Sequence, residues 1–368
     1  MTLPLSGMMT AAMINAELGR ASNAHFSLND PAVRALAEKS SGQIMFSDFY
    51  GKANEVVVKV TSAPQYNGLI KSFFTPDDWA SDKAKRLIIS GVDFGNMSGA
   101  AALAITDAVS GQAGSFGGKL TLEIEAGAFI SGSAGKWSPV GSGNGGIALH
   151  ANFKGKDGNN LQLINKGIIR GGGGSGGQGG KGGGGYYVQS TTVREPQTGD
   201  YYIEGATGAY MWIQYRTGID VYWNGVRVFS GLNDGQSVTV NGITYWRAAM
   251  HHVSGTTLYY YINRTFQQNQ NVYTDSGIGG AGGIGQGFNT MPAAGAAGNA
   301  GGTNAGRGGN GGHGGSWGSS GANGDTGING NNGNGVVGSP GGIGGAAIDG
   351  IANVDLIENS GQIIGRQE

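Results

Sequence analysis

The sequence predicts a mostly β protein with a large glycine-rich bundle of polyglycine II helices. A small N-terminal helical module, a β-rich, solenoid-like base and an inserted antiparallel β domain complete it. Three observations predict this. Glycine falls at every third position without a break from Gly306 to Gly333. A strand–glycine–strand pattern recurs at 119–132, 160–171 and 354–365. Asn-Gly pairs separate alternating apolar runs between residues 186 and 275, which is a hairpin signal.

The elements follow in chain order. Thr10 can cap a helix carrying Ala11, Met13, Ile14, Ala16 and Leu18, which Gly19 ends. Asp30 followed by Pro31 reads as a second helix start, with Val33, Leu36 and Ala37 on one face. Ile44, Phe46 and Phe49 supply apolar partners. Fifty residues make a marginal core, so this module is expected to dock on a larger body.

Residues 56–60 and 86–90 are β-branched runs, and Leu120, Leu122 and Ile124 alternate with Thr121 and Glu123. The three copies of the repeat read as rungs, each a short strand, a glycine turn and a second short strand. Such rungs cannot bury an apolar face alone and must stack. The last two copies bracket everything from Gly172 to Ile351. They are expected side by side, with the glycine region extruded between them and 362–368 at its foot.

A strict period of three keeps one face of a three-residue-per-turn helix bare, so that backbones can touch. Gly171, Gly174, Gly177, Gly180 and Gly183 hold one register, and Gly173, Gly176, Gly179, Gly182 and Gly185 hold a second. A helix with two bare faces can sit inside a bundle. Collagen also uses this period but needs abundant proline, and Pro340 is the sole proline between Gly306 and Gly350. Disordered low-complexity sequence is the other alternative. As one helix, 306–333 would reach about 87 Å, far beyond the shorter tracts. It is therefore expected to fold back near Ser316-Trp317 and Asn329–Asn332. The stretch 186–275 holds 17 of the 32 aromatic residues and reads as short antiparallel strands, including 210–215, 219–223, 226–229, 237–240 and 243–246. The expected divisions are 1–54, 55–171 closed by 352–368, 172–185 with 276–351 for the bundle, and 186–275.

Composition sets limits. The chain has 368 residues, 76 of them glycine, and a net charge of −1. Near-zero charge argues against a nucleic-acid partner. The absence of cysteine excludes disulfides and thiolate metal sites. The first twenty residues lack the pattern of a signal peptide, and no apolar run approaches ~20 residues, so membrane insertion is not expected. No cofactor or metal is expected, since no phosphate loop, catalytic grouping or ligand cluster stands out. His251 and His252 are adjacent and would point opposite ways on a strand. Asp77-Asp78 and Glu123 with Glu125 give no persuasive carboxylate pair. The chain is read as a non-enzyme made in a cytoplasm.

Residues 3–52 resemble a module found near one end of many tailed-bacteriophage tail proteins. The matching stretches are 3–7, 14–19, 26–30, Val33-Arg34 with Leu36-Ala37, Ser41-Gly42 and 46–52. The glycine tracts resemble the polyglycine II domain of T-even-type tail-fibre adhesins. That resemblance implies a virion tail protein at a tail tip or distal fibre, joined to other phage tail proteins through residues 1–54. It further implies loops between glycine helices that contact a bacterial outer-membrane protein or lipopolysaccharide. The N-terminal module and the large aromatic insertion depart from those adhesins.

Candidate receptor contacts are the aromatic and apolar residues expected to lack a core. Tyr186 and Tyr187 end the first tract. Trp223, Trp246 and Tyr260 lie in the insertion, where filling its own core is the competing role. Phe288 and Met291 sit in a break between tracts, and His313 and Trp317 sit inside the periodic run. Exposed apolar residues on a glycine scaffold mark a partner surface, and capping the bundle is the competing role. A structural tail connector without receptor contact and a glycan hydrolase are the rival functions.

Overall fold

In the computed structural model, two N-terminal helices start where side-chain capping dictates. The structure describes residues 3–62, 67–95, 101–105, 116–195, 219–223, 226–232, 237–240, 242–254 and 257–368. The Thr10 side chain accepts from the Met13 N–H to open α1 (Ala11–Glu17). Asp30 accepts from Ala32 and Val33 to open α2 (Pro31–Leu36), with Pro31 in the first turn where no donor is needed. Leu3, Ile14, Val33, Leu36, Ile44 and Phe49 form a small buried core, and Phe46 stacks on Phe26 at 5.9 Å.

From Glu55 the chain winds into parallel rungs. β1 (Glu55–Val60) and β2 (Gly68–Leu69) make the first rung, and α3 (Pro76–Ala80) follows. β3 (Ala84–Ile89), β4 (Asp93–Gly95) and β5 (Leu103–Ala104) make the second. β6 (Leu120–Ile124), β7 (Phe129–Ser131) and β8 (Leu149–His150) make the third. β9 (Leu161–Asn165) and β10 (Ile168–Arg170) begin the fourth. Beyond Gly184 lies a second compact unit, Gly185–Thr274. Its strands are β11 (Gly185–Glu195), β12 (Ile219–Trp223), β13 (Val226–Leu232), β14 (Ser237–Val240), β15 (Ile243–Ser254) and β16 (Thr257–Thr274). They form antiparallel pairs: β11 with β16, β12 with β13, and β15 with both β14 and β16. The 210–215 strand expected from the sequence lies outside the described residues. Back in the first unit, β17 (Ala346–Asp349) completes the fourth rung, and β18 (Val354–Asn359), β19 (Gln362–Ile364) and β20 (Arg366–Gln367) make the fifth.

Three parallel sheets run up this stack in the orders β1-β3-β6-β9-β18, β4-β7-β10-β19 and β2-β5-β8-β17-β20. The alternation places Leu120, Leu122, Ile124, Leu161 and Leu163 wholly inside. The repeat copies are neighbours in space, with Leu120 opposite Leu161 and Val354 also opposite Leu161. A register shift between Leu356 and Glu358 keeps the following Gln362 opposite Ile168. Outside, Arg86 bridges Glu55 and Glu123, and Lys166 pairs with Glu123 at 2.9 Å. The Lys166 and Arg86 hydrogen bonds hold the Glu123 carboxyl below the usual range, against the opposing effect of burial.

The corner between the second and third strands of a rung is where the glycine-rich chain leaves. In the third rung this excursion is 133–147, and in the fourth it is 171–345. Within them, eight extended segments are laid side by side among the described residues. They are called rods here: rod 1 is 133–138, rod 2 is 141–147, rod 3 is 171–184 and rod 4 is 276–287. Rods 5 to 8 are 291–301, 305–316, 319–330 and 333–345. Every third backbone N–H bonds a neighbouring rod. Gly173, Gly176, Gly179 and Gly182 donate to Gln286, Gly283, Gly280 and Gly277 of rod 4, at 2.7–2.9 Å. Gly174, Gly177, Gly180 and Gly183 donate to Ser319, Ala322, Asp325 and Ile328 of rod 7. Rods 6 and 8 donate to rod 3 in return, as Gly312 does to Gly177 and Gly342 to Ser175.

Rod 3 is therefore the axis of the array. Its two glycine registers face rods 6 and 8, where a Cβ on Gly176 would sit 1.9 Å from the Gly312 carbonyl oxygen and one on Gly174 1.9 Å from that of Gly342. Only glycine permits such contact. Rods 1 and 2, read from sequence as part of the base, fill the last two places around its lower part. Gly135 donates to Gly173, Gly172 to Gly146 and Ser175 to Gly143. The lower third of rod 3 thus has six rod neighbours, and its upper part has four. Residues 346–349, expected within the bundle, instead form β17. Their apolar side chains Ala346, Ala347 and Ile348 are wholly buried in the stack.

Candidate binding surfaces

The rods alternate in direction, so their bends alternate between two ends. One end abuts the rung stack: Gly171 donates to Ile364, Gly318 to Gly171 and Gly345 to Gly172. The bends 287–290 and 316–319 lie there, the second closed by the Ser319 N–H on the Ser316 carbonyl at 2.9 Å. The other end carries the bends at 302–305 and 330–333, together with the points where the chain leaves at Gly184 and returns at Asp275. Gly302 donates to Asp275, Asn332 to Gly184 and Asn331 to Asn304. Both bends expected in 306–333 are present, one at each end.

This alternation decides where the candidate residues fall. Phe288 is at the stack end and only 8% exposed. Its ring lies over Gly95 of β4, where a Cβ would be 2.0 Å from the ring, and its N–H donates to Gly132 at 3.0 Å. The expectation that this break would leave Phe288 without a core is corrected, because the bend returns onto the rung stack and a glycine there makes room for the ring. Trp317 is half-buried at the other stack-end bend. The Arg170 guanidinium lies 4.0 Å from its ring centre and 4.7 Å from that of Phe129. The same guanidinium donates to Asp93 at 3.0 Å and Ser131 at 2.8 Å, and the Ser131 hydroxyl donates to Asp93 at 2.6 Å. Trp317 N–H donates to the Gln286 side chain at 3.2 Å. Phe288 and Trp317 thus pin the bundle to its base.

Met291 is 77% exposed beside the first of these bends, and His313 is exposed on rod 6. The far end presents exposed Thr303, Asn304, Asn331 and Asn332, with Asn304 in the left-handed region at φ 59°. The sequence does not single out these residues as contacts, since asparagine in a glycine tract signals a turn and not which end the turn occupies. Ile278, Ile328, Val336 and Val337 are exposed along the rods.

In the second unit, Tyr186 and Tyr187 begin β11. Tyr186 faces Tyr273 across the ribbon at a ring distance of 6.1 Å. Tyr187 is partly exposed, and Val188 and Tyr273 are more so. Tyr273 was missed because the pairing of 185 with 274 sets its register, and no local motif announces that. Trp223, Trp246 and Tyr260 lie on β12, β15 and β16, and only their backbones are among the described residues. No group of three or more metal-ligating side chains occurs among the described residues. No helix there is long and apolar enough to cross a membrane.

No protein-family model matches the chain, and no curated protein does. Among solved structures, it is similar to the crystal structure of the gp37-gp38 adhesin tip complex of the bacteriophage S16 long tail fiber. The TM-score is 0.37 and the identity 14%, over 98% of this chain and 99% of that one.

Proposed function

We propose that the chain is a bacteriophage tail receptor-binding protein whose rods are polyglycine II helices serving as a rigid scaffold. The observation that carries the scaffold reading is the hydrogen-bond pattern of rod 3. Donors recur every third residue toward each neighbour, which is the repeat of a three-residue-per-turn helix. Fixing glycine backbones is entropically costly, but a bundle without a side-chain core lets its bends change without repacking beneath them.

The adhesin reading rests on what such a scaffold leaves for recognition, together with the resemblance of residues 3–52 to phage tail modules. The far-end bends around Asn304 and Asn332 and the ribbon aromatics Tyr186, Tyr187 and Tyr273 are the contacts proposed for an outer-membrane protein or lipopolysaccharide. Met291 and His313 are secondary candidates. Phe288 and Trp317 are assigned to the base. Residues 1–54 attach to other tail proteins, and the chain binds without turnover.

Purified protein is expected to bind susceptible cells and to compete with phage adsorption. Thr303→Arg with Asn332→Arg, or Tyr187→Ala with Tyr273→Ala, should weaken that competition while Trp317→Phe leaves it intact. Binding only to tail proteins would favour a connector, a reading that the exposed Leu356 and Ile357 of the last rung also support. Release of reducing sugar from host polysaccharide would favour an enzyme.

A further inference from the structure

The six-neighbour packing around rod 3 stops partway. Rods 1 and 2 end at the 138–141 hairpin, closed by mutual bonds between Ser138 and Gly141 at 3.0 Å. Above it, no described residue fills the two lattice places beside rod 3, and a groove of about 350 Å³ takes their place. Its floor is Gln178 to Lys181. One wall carries Ile278 and Gly279 of rod 4, and the other carries Val336 and Val337 of rod 8.

The groove keeps the bonding pattern of the places it continues. Below it, Ser175 of rod 3 donates to rod 2, and Gly285 of rod 4 donates to Gly135 of rod 1. Rod 2 in turn donates from Gly145 to Ile343 of rod 8. Moving up in steps of three, the equivalent groups are the N–H groups of Lys181, Gly282 and Gly279 and the carbonyl of Val337. None of these has a hydrogen-bond partner among the described residues. Gln178, one step above Ser175, is met by the Ser339 hydroxyl at 2.7 Å. The walls are apolar yet open to solvent, with Ile278 61%, Val336 55% and Val337 76% exposed.

We propose that this groove binds a glycine-rich segment of a partner protein in the polyglycine II conformation, extending the lattice around rod 3. This rests on the polyglycine II reading of the rods. Continuity points to this occupant, because rods 1 and 2 already fill these two places lower down. They do so with glycine where the chains touch. A Cβ on Gly135 would be 2.3 Å from the Gly143 oxygen, and one on Gly145 would be 2.0 Å from that of Gly172. An occupant therefore needs glycine at every third residue. A sheet-forming strand, whose bonds repeat every second residue, would miss the spacing of Lys181, Gly279 and Gly282.

The test uses the full chain and a fluorescein-labelled (Gly-Gly-Asn)5 peptide, followed by fluorescence anisotropy. Saturable binding is expected, with at least a tenfold loss for (Ala-Ala-Asn)5, whose methyl groups block close approach. Val337→Asp with Ile278→Asp should weaken binding comparably. Lys181→Pro should weaken it while Lys181→Ala does not, since only proline removes the floor N–H and no bond among the described residues uses that group. Equal binding of both peptides, or no binding, overturns the proposal. So does self-association of the chain, seen by sedimentation velocity and abolished by Val337→Asp, which would make a second copy the occupant. Amide exchange at Gly176 and Gly179 separates this failure from a deeper one. Protected amides without peptide binding would sink the groove alone, and freely exchanging amides would sink the polyglycine II reading itself.

Discussion

The Arg170 guanidinium stacks 4.0 Å from the centre of the Trp317 ring, joining the fourth rung to the bend between rods 6 and 7. Arg170 is also held by Asp93 and Ser131 from the two rungs below, so the contact ties three rungs to the glycine bundle. Trp317→Ala removes the ring and leaves the guanidinium face open. A loss of about 2–3 kcal/mol is expected in denaturant unfolding. In a double-mutant cycle with Arg170→Gln, the coupling should be about 1 kcal/mol. Additive losses would show that the stacking contributes nothing.

Gly176→Ala and Gly179→Ala place a methyl group 1.9–2.0 Å from the Gly312 and Gly309 carbonyl oxygens. Backbone on both sides cannot move apart without breaking its own bonds. Each substitution should cost about 3 kcal/mol or more, or leave the protein insoluble. Lys181→Ala, on the open face of the same rod, should lie within about 0.5 kcal/mol of the parent. Thermal melting of the three variants side by side would expose a bundle indifferent to alanine.

Lys85 is wholly buried on β3, and its ammonium donates to the carbonyls of Ser81, Lys83 and Gly117 at 2.7–2.8 Å. Lys85→Met keeps the stem but leaves three acceptors without their donor. The expected cost is about 3 kcal/mol, read by urea unfolding. A neutral result would mean that water takes the place of the ammonium.

Glu38 links the N-terminal module to the stack by pairing with both Lys52 and Lys83. Hydrogen bonds from Lys52 and then Lys83 lower its carboxyl to about 2. A folded-state value below the unfolded one gives stability that is present above the ordinary carboxylate range. It is lost as pH falls from about 4.5 toward 2. The side chain is 48% exposed, so solvent screening keeps the effect to about 1 kcal/mol or less. Glu38→Gln should lower stability at pH 6 by that amount and leave it unchanged near pH 2. A gap that persists at pH 2 would assign the loss to packing.

Much of this molecule is legible in the sequence where the chemistry is local. Thr10 and Asp30 cap their helices because the needed oxygen sits next to the orphan donors. The repeat at 160–171 and 354–365 is legible because stacked rungs impose the same alternation on both. The shift near Ile357 is not, since Leu356 and Ile357 are adjacent apolar residues that both stay exposed, so burial does not mark where the register slips. Rods 1 and 2 escape notice because Gly132, Gly135, Gly143 and Gly146 are too few to show a period. The burial of Phe288 depends on bend parity: a rod that leaves the base must be followed by one that returns. The next bend therefore falls at the stack, where Gly95 makes room for the ring. That parity is a property of the whole array and not of any five residues.

Residue-resolved hydrogen exchange along 171–184 tests most directly the proposal that the rods are polyglycine II helices. Protection is predicted at Gly173, Gly174, Gly176, Gly177, Gly179, Gly180, Gly182 and Gly183. It should also appear at Gly172 and Ser175, where rod 2 closes the ring, and be absent at Lys181. Uniformly fast exchange, or protection alternating every second residue, would contradict the account.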